Sequence, residues 1–463
     1  MKYRVLVSDP LAEEGLDILK EFGDVDVNTG LTEDQLVAVI GDYDALLVRS
    51  GTEVTARVID AGTKLKFIGR AGAGVDNIDT EAATRRGIVV ANAPEGNTLA
   101  ATEHTMAMML ALARNIPQAT ASLKKGEWKR SKFMGVELND KTLGIVGFGR
   151  IGREVAKRAQ AMAMKCIAYD PFISKEKAAS LGVEMVPLEE LFRRADVITV
   201  HTPLIKETRH VINEKTIATM KDGVRLINCA RGGIIDEKAL VDGITSGKVA
   251  GAALDVFETE PPTDSPLLAL DKVIVTPHLG ASTVEAQKNV AISVANQCIS
   301  VLSGGAAKYV VNAPMIPAEQ QAVVEPYAAL AKKMGSLLIQ LVEGRLESIA
   351  ITYGGEAAGL PNTKFITRVI LKGLLDPVLQ VPVNIVNAEF VAKERGIRLS
   401  ETTTEEAQGF RNIISITAKT DMMTESVSGS VSGPNRARIV SIGGYMTDLT
   451  PTGHVVISRH IDK

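Results

Sequence analysis

Three short apolar runs end in the residue types needed to oxidise a hydroxy acid. Thr276-Pro277-His278 closes one, Asn228-Cys229-Ala230-Arg231 a second, and Leu254-Asp255-Val256-Phe257-Glu258-Thr259-Glu260 a third. Hydride can leave an alcohol carbon only if the hydroxyl proton is also removed. His278 suits that step because an unperturbed imidazole titrates near neutrality. A carboxylate on the other ring nitrogen fixes the tautomer and favours the protonated ring. Glu260 is the preferred partner, with Glu258 a competitor on spacing alone. Arg231 offers two parallel donors to a substrate carboxylate, each charged hydrogen bond contributing roughly 1.5–3 kcal/mol. Asp255 is expected to steer the carboxamide edge of a nicotinamide, and His201-Thr202-Pro203, ending a fourth run, to line the cofactor.

The element that must carry that nicotinamide lies upstream. Thr142 to Val146 is an apolar, β-prone segment that runs into Gly147-Phe148-Gly149-Arg150-Ile151-Gly152, and a helical pattern follows over Arg153 to Met164. This strand–turn–helix context gives a G-x-G-x-x-G run its meaning. Gly147 permits the tight turn, Gly149 admits a pyrophosphate against the backbone, and Gly152 lets helix and strand approach. The N–H groups opening the helix then face the phosphates. Lys165 to Asp170 reads as the next strand. Asp170, 18 residues after Gly152, would accept from the adenosine ribose hydroxyls and repel a 2′-phosphate, which favours NAD over NADP.

Bulk properties exclude several classes. The 463 residues suggest two to four domains. Hydrophobic content of 45% with 4% aromatic suits α/β packing on Ala, Val, Ile and Leu. A net charge of −3 implies no general attraction to nucleic acid or membranes. Cys166, Cys229 and Cys298 form no C-x-x-C pair and suit a reducing cytoplasm. No H-x-x-x-H occurs, so no metal is expected; His104 and His210 show no partner pattern.

Along the chain, strands of about five residues alternate with helices from Tyr3 to Ala91, predicting a parallel, doubly wound sheet. The fingerprint comes only after this first unit. Its own strands continue at Val197, Val224, Gly251 and Val273, and Val284 to Leu302 reads as one long helix returning to the first unit. The expected fold is therefore α/β: a cofactor domain (98–283) inserted in a discontinuous substrate domain (1–97 and 284–312), both Rossmann-like. A C-terminal α+β domain (313–452) follows, with Glu325 to Leu341 helical, Ser400 to Glu406 an exposed connection, and Gly453 to Lys463 the first strand of a further module.

Two glycine-permitted loops, Arg49-Ser50-Gly51 and Gly72-Ala73-Gly74, sit at predicted strand ends and form a candidate anion site from backbone N–H groups and Arg49. Lys124 to Lys132, with the lone Trp128, is a basic loop. It reads as a solvated turn or as a lip over an anionic substrate, supplied in that case by a neighbouring subunit.

Six runs together resemble the D-isomer-specific 2-hydroxyacid dehydrogenase family: GRAGAGVDNID (69–79), TLGIVGFGRIG (142–152), VHTPL (200–204), NCARGGIIDE (228–237), AGAALDVFETEPP (250–262) and TPHLGAST (276–283). The resemblance implies Arg231, Glu260 and His278 as the catalytic set, which selects Glu260 over Glu258. It also implies cofactor contacts from Arg150, Ile151, Asp170, Thr202, Cys229, Ala230, Asp255, and the loop of His278, Leu279, Gly280 and Ala281. Ala73 stands where some members carry a hydroxyl residue. The run at 117–135 is similar to members that oxidise 3-phospho-D-glycerate to 3-phosphooxypyruvate with NAD, the first step of L-serine biosynthesis. For the phosphate, Arg49 and Ser50 with Arg130 or Lys132 are the expected holders. The rival readings are a hydroxypyruvate or glyoxylate reductase and a non-enzymatic NAD-sensing protein. The family further implies a homodimer through the cofactor domains or a homotetramer, with 98–140 as the interface, and a serine-binding regulatory domain beginning where this chain ends.

Overall fold

The computed structural model describes residues 2–316, 318–433 and 436–458. Two compact units divide the chain. One holds the residues up to Ala71, Val75–Ala93 and everything from Ala291; the other holds Gly72–Gly74 and Pro94–Val290. The later division falls inside the 19-residue helix Val284–Leu302.

In the first unit, strands β1 (Arg4–Val7), β2 (Asp24–Val27), β3 (Ala45–Val48), β4 (Phe67–Arg70) and β5 (Val89–Asn92) pair in parallel in the order β2-β1-β3-β4-β5. The central strands are short continuous apolar runs, as a parallel sheet covered on both faces requires. Local signals set the helix starts. Thr32 and Gln35 form a reciprocal capping box, and the Asp79 side chain accepts from Ala82 N–H.

The same unit carries a six-stranded mixed sheet formed by β13 (Leu346–Gly355), β14 (Arg398–Thr404), β15 (Asn412–Thr420), β16 (Thr424–Val431), β17 (Ala437–Ile442) and β18 (Tyr445–Leu449), in the order β14-β13-β15-β16-β17-β18. Helices Ala318–Leu341 and Thr363–Leu375 pack with it around Leu330, Met334, Leu338, Tyr353 and Ile370. Of the segment expected as an exposed connection, Ser400–Thr404 instead belongs to the edge strand β14, parallel to β13, and only Glu405 and Glu406 lie outside it. Its residues are almost all exposed, so it shows no apolar alternation; backbone pairing alone makes it a strand. The first of these helices starts at Ala318, before the expected Glu325, with Pro326 inside it. Gly453–Ser458 form no strand, and residues 459–463 lie outside the described residues.

The second unit holds seven parallel strands: β6 (Thr142–Val146), β7 (Lys165–Tyr169), β8 (Glu184–Met185), β9 (Val197–Val200), β10 (Val224–Asn228), β11 (Val249–Leu254) and β12 (Val273–Val275). Their order is β12-β11-β10-β9-β6-β7-β8, so strand order reverses at β6. Ligands of open α/β sheets bind at the carboxyl ends beside such a reversal. The ends of β6, β9, β10, β11 and β12 are where the candidate residues stand. No described helix is long and apolar enough to cross a membrane.

Candidate active site

The turn after β6 shows why three glycines are needed there, each for a separate reason. Gly147 has φ +94°, and a Cβ on it would lie 2.6 Å from the His201 carbonyl oxygen. A Cβ on Gly152 would lie 2.2 Å from the Gly147 carbonyl oxygen, so the helix Arg150–Ala161 could not seat against the turn. Gly149 differs from both. Its φ of −71° suits any residue, and a Cβ would meet nothing within 4 Å. The space over Gly149 is open, and this helix start has no side-chain cap among the described residues. That is the geometry a pyrophosphate needs. Arg150 pairs with Glu95 at 3.7 Å, and Ile151 lies in the first turn.

Asp170 follows β7. Its Oδ2 accepts from Phe148 N–H at 2.9 Å and its Oδ1 from Phe172 N–H at 2.8 Å. The acid therefore ties the fingerprint turn to the loop beyond β7, a task its position in sequence did not reveal. Past β9, the hydroxyl of Thr202 is buried with no partner among the described residues. A buried hydroxyl wants a hydrogen-bond partner, and a bound cofactor would supply one. His201, just before it, contacts Thr199 Oγ1 at 3.0 Å, and burial pushes its imidazole down to about 4. Pro203 is exposed beyond it. The open Gly149 turn and the orphan Thr202 hydroxyl together fit a dinucleotide.

At the end of β10, Asn228 shapes the turn that carries Arg231. Its amide donates to Arg231 O at 2.8 Å and its carbonyl accepts from Ala230 N–H at 3.0 Å. Arg231 donates from Nη1 to Ala230 O at 2.7 Å. A Cβ on Gly232 would fall 1.7 Å from the Phe257 carbonyl oxygen, so this turn is pressed against the Phe257–Glu260 segment. Neither Asn228 nor Gly232 was given a role of its own in the sequence: Asn228 acts within its own turn, whereas the constraint on Gly232 comes from the distant Phe257. Burial first, then the charge of Asp255, pushes the Cys229 thiol up to about 12, so it is no thiolate.

Glu260 Oε2 meets His278 Nδ1 at 2.8 Å, and Glu260 Oε1 accepts from Phe257 N–H at 3.1 Å. A carboxylate only accepts, so Nδ1 carries a hydrogen and Nε2 of the neutral ring is left to take a proton. Burial opposes the charged form of Glu260, but the His278 contact and the Phe257 N–H outweigh it and hold its pKa below the ordinary value. Both side chains keep access to solvent, at 44% for His278 and 38% for Glu260. Glu258, the competitor on spacing, is engaged elsewhere: its Oε1 lies 3.0 Å from His210 Nε2. His210 therefore does have partners, as does His104; both come from residues far away in sequence. Beside the dyad opens a cavity of about 500 Å³ walled by Phe257, Pro261, Pro262, Leu268, Val275 and Pro277.

Asp255 is fully enclosed. Its carboxylate accepts from Thr276 Oγ1 at 2.6 Å, Leu279 N–H at 2.7 Å and Gly280 N–H at 2.8 Å, while its backbone oxygen accepts from His278 N–H at 2.9 Å. The chain thus wraps around Asp255 and holds His278 at φ +55°. Ala281 closes the loop, its carbonyl accepting from Gln287 at 2.9 Å.

The anion loop is less open than expected. Asp9, 7% exposed, accepts from the backbone N–H groups of Arg49 (2.6 Å) and Thr52 (3.1 Å). One donor proposed for an anion, Arg49 N–H, is therefore already taken by a carboxylate; the Arg49 guanidinium rests on Pro10 O at 3.3 Å, and Ser50 is exposed. Ala73 and Gly74 belong to the other compact unit. Arg130 and Lys132 lie in the exposed turn Arg130–Phe133, Lys132 Nζ standing 5.7 Å from the Phe133 ring centre. No group of His, Cys, Asp and Glu able to hold a metal occurs among the described residues.

Comparison with known proteins places this geometry. Residues 106–280 match a family model described as the NAD binding domain of D-isomer specific 2-hydroxyacid dehydrogenases, and residues 323–443 match one described as the D-3-phosphoglycerate dehydrogenase intervening domain. The chain is 50% identical over 461 residues to a D-3-phosphoglycerate dehydrogenase of Methanocaldococcus jannaschii, covering 99% of this chain and 87% of that one. It is 47% identical over 463 residues to the Bacillus subtilis protein of the same name, covering 99% and 87%. Among solved structures it resembles a D-lactate dehydrogenase of Aquifex aeolicus complexed with NAD and lactic acid, at TM-score 0.61 and 29% identity, over 67% of this chain and all of that one.

Proposed function

We infer that this chain, which belongs to the D-isomer-specific 2-hydroxyacid dehydrogenase family, oxidises 3-phospho-D-glycerate to 3-phosphooxypyruvate with NAD, the first step of L-serine biosynthesis. The observation that carries the substrate is the likeness along 99% of the chain to relatives named for that acid. The chemistry rests on the His278–Glu260 pair standing at the carboxyl ends of the sheet that bears the fingerprint.

In this reading the bound nicotinamide supplies a hydride acceptor. Gly147, Gly149 and Gly152 with the first-turn N–H groups seat the pyrophosphate, and Asp170 accepts from the ribose. Thr202, Cys229, Ala230 and the His278–Ala281 loop form the nicotinamide wall. Arg231 holds the substrate carboxylate and polarises its neighbouring C–O. His278 Nε2 takes the hydroxyl proton, and Glu260 stabilises the resulting imidazolium through Nδ1–H. Asp255 acts by holding the loop. Arg49 and Ser50, with Arg130 or Lys132 of a second copy, are the proposed phosphate holders; the positive charge of the Arg and Lys side chains and the exposure of the Ser50 hydroxyl residue support it.

Self-association is part of the proposal, as a homodimer or homotetramer. Exposed Leu99 (56%), Ile116 (52%), Leu123 (56%), Trp128 (77%) and Met134 (82%) cluster in the 98–140 segment, and an apolar surface of that kind favours burial against a partner. A cytoplasmic location is likewise proposed, supported by three unpaired cysteines. The division into substrate, cofactor and intervening domains completes the reading.

The test follows NADH formation with 3-phosphoglycerate, D-glycerate and D-lactate in turn. Turnover of the phosphorylated acid is expected. Turnover only of another acid would replace the substrate, and no turnover with any would favour an NAD-binding protein without catalysis.

A further inference from the structure

His104 lies in the first half of the helix Thr98–Arg114 and carries no role in the chemistry above. Its Nε2 stands 3.0 Å from Thr276 Oγ1 and 3.2 Å from Asp255 Oδ1, with the side chain only 18% exposed. The direction of these bonds follows from counting hydrogens. Asp255 has none to give. Thr276 has one, and at 2.6 Å it goes to Asp255. Thr276 Oγ1 and Asp255 can therefore only accept from the ring, and His104 Nε2 must be the donor to both. The enclosed carboxylate then receives four donors: His104, Thr276, Leu279 and Gly280.

Two of those donors flank the catalytic imidazole in sequence. Thr276 is two residues before His278, and Leu279 is the next residue after it. His278 itself sits at φ +55°, a left-handed conformation that is unfavourable for a non-glycine residue. That backbone persists only if its surroundings over-determine it. Asp255 supplies the determination, through its carboxylate on both sides and its carbonyl at His278 N–H. Burial disfavours the charge on Asp255; the His104 contact is the foremost of the interactions that outweigh it, followed by Thr276 and Leu279. Without an N–H at position 104, Thr276 Oγ1 and Asp255 each lose a donor, and the Asp255 side chain is fully enclosed.

We propose that His104 is a positioning residue: its Nε2–H completes the donors around Asp255 and so holds His278 where its ring meets Glu260. The proposal rests on His278 being the proton acceptor. His104 touches neither substrate nor cofactor in this account. It acts through one carboxylate and one hydroxyl on the loop that carries the base.

The test uses the full chain with His104→Leu, which removes the donor, and His104→Gln, whose amide nitrogen reaches the place of Nε2. Read out are kcat, KM, NADH affinity, the pH profile of kcat, and the nitrogen chemical shifts of the His278 ring. His104→Leu is expected to lower kcat by about 10- to 100-fold, the scale of an ångström-sized misplacement, with NADH affinity kept and the acid limb of the profile shifted. His104→Gln should restore most of the rate. Wild-type kcat with an unshifted profile in His104→Leu would overturn the proposal, and so would an equal loss in His104→Gln. If His104→Leu does not fold, Thr276→Val takes its place: it must lower kcat while NADH binding survives, and unchanged turnover would overturn the claim. If the wild type turns over no hydroxy acid, the proton-acceptor reading fails instead. The ring shifts of His278 then still decide, because His104→Leu must disturb its Nδ1–H signal if positioning is real.

Discussion

Glu260 grips His278 with one oxygen at 2.8 Å while Phe257 N–H holds the other at 3.1 Å. The carboxylate is thereby fixed in its plane before it fixes the imidazole. Glu260→Gln keeps the shape but allows an N–H to face Nδ1, which favours the wrong tautomer. The expected loss in kcat is about 10²- to 10⁴-fold, and His278→Gln should cost at least as much. Calorimetric titration with NADH should show binding retained in both, since neither side chain seats the pyrophosphate.

Gly149 and Gly152 are three residues apart and should behave oppositely. Gly149→Ala meets open space at an ordinary φ, so the melting temperature should stay near wild type while NAD affinity falls. Gly152→Ala drives a methyl into the Gly147 carbonyl and should destabilise by about 1–3 kcal/mol, the usual cost of overpacking. Thermal unfolding alongside NAD titration separates the two.

Asp170→Ala should weaken NAD and narrow the preference over NADP, read from kcat/KM with each cofactor. Unchanged discrimination would remove the ribose assignment. The variant should also lose some stability, because Phe148 N–H and Phe172 N–H lose their acceptor.

His201 predicts a pH dependence of stability. Burial holds its imidazole neutral down to about 4, against 6.5 when unfolded. As pH falls through 6.5 the unfolded chain gains a proton that the folded chain refuses, so unfolding becomes easier down to about pH 4. The contribution, at most ~3 kcal/mol, is fully present above 6.5 and lost below. His201→Gln does not titrate there and should flatten the slope, which urea unfolding near neutrality and at about pH 5 would reveal.

Much of this was legible beforehand because local chemistry marks it. The strand before Gly147 and the helix Val284–Leu302 each announce themselves, one by the glycines that follow it and the other by its long apolar pattern. Strand β14 did not, since its side chains are polar and exposed and only its backbone has a partner. The helix Thr363–Leu375 also escaped: its Asn362 makes no capping bond from its side chain to the helix start among the described residues.

By itself the sequence determined the fold class, the dinucleotide turn and a short roster of reactive side chains, because those depend on residue type and near spacing. It preferred Glu260 but could settle the choice over Glu258 only by resemblance. The tertiary structure decided between them by bringing His210 to Glu258 and leaving Glu260 to His278. It also set Asp9 against the Arg49 loop and placed His104 and Thr276 on Asp255. Such pairings join residues from about 20 to more than 150 positions apart, and a hydrogen bond depends on distance in space rather than along the chain.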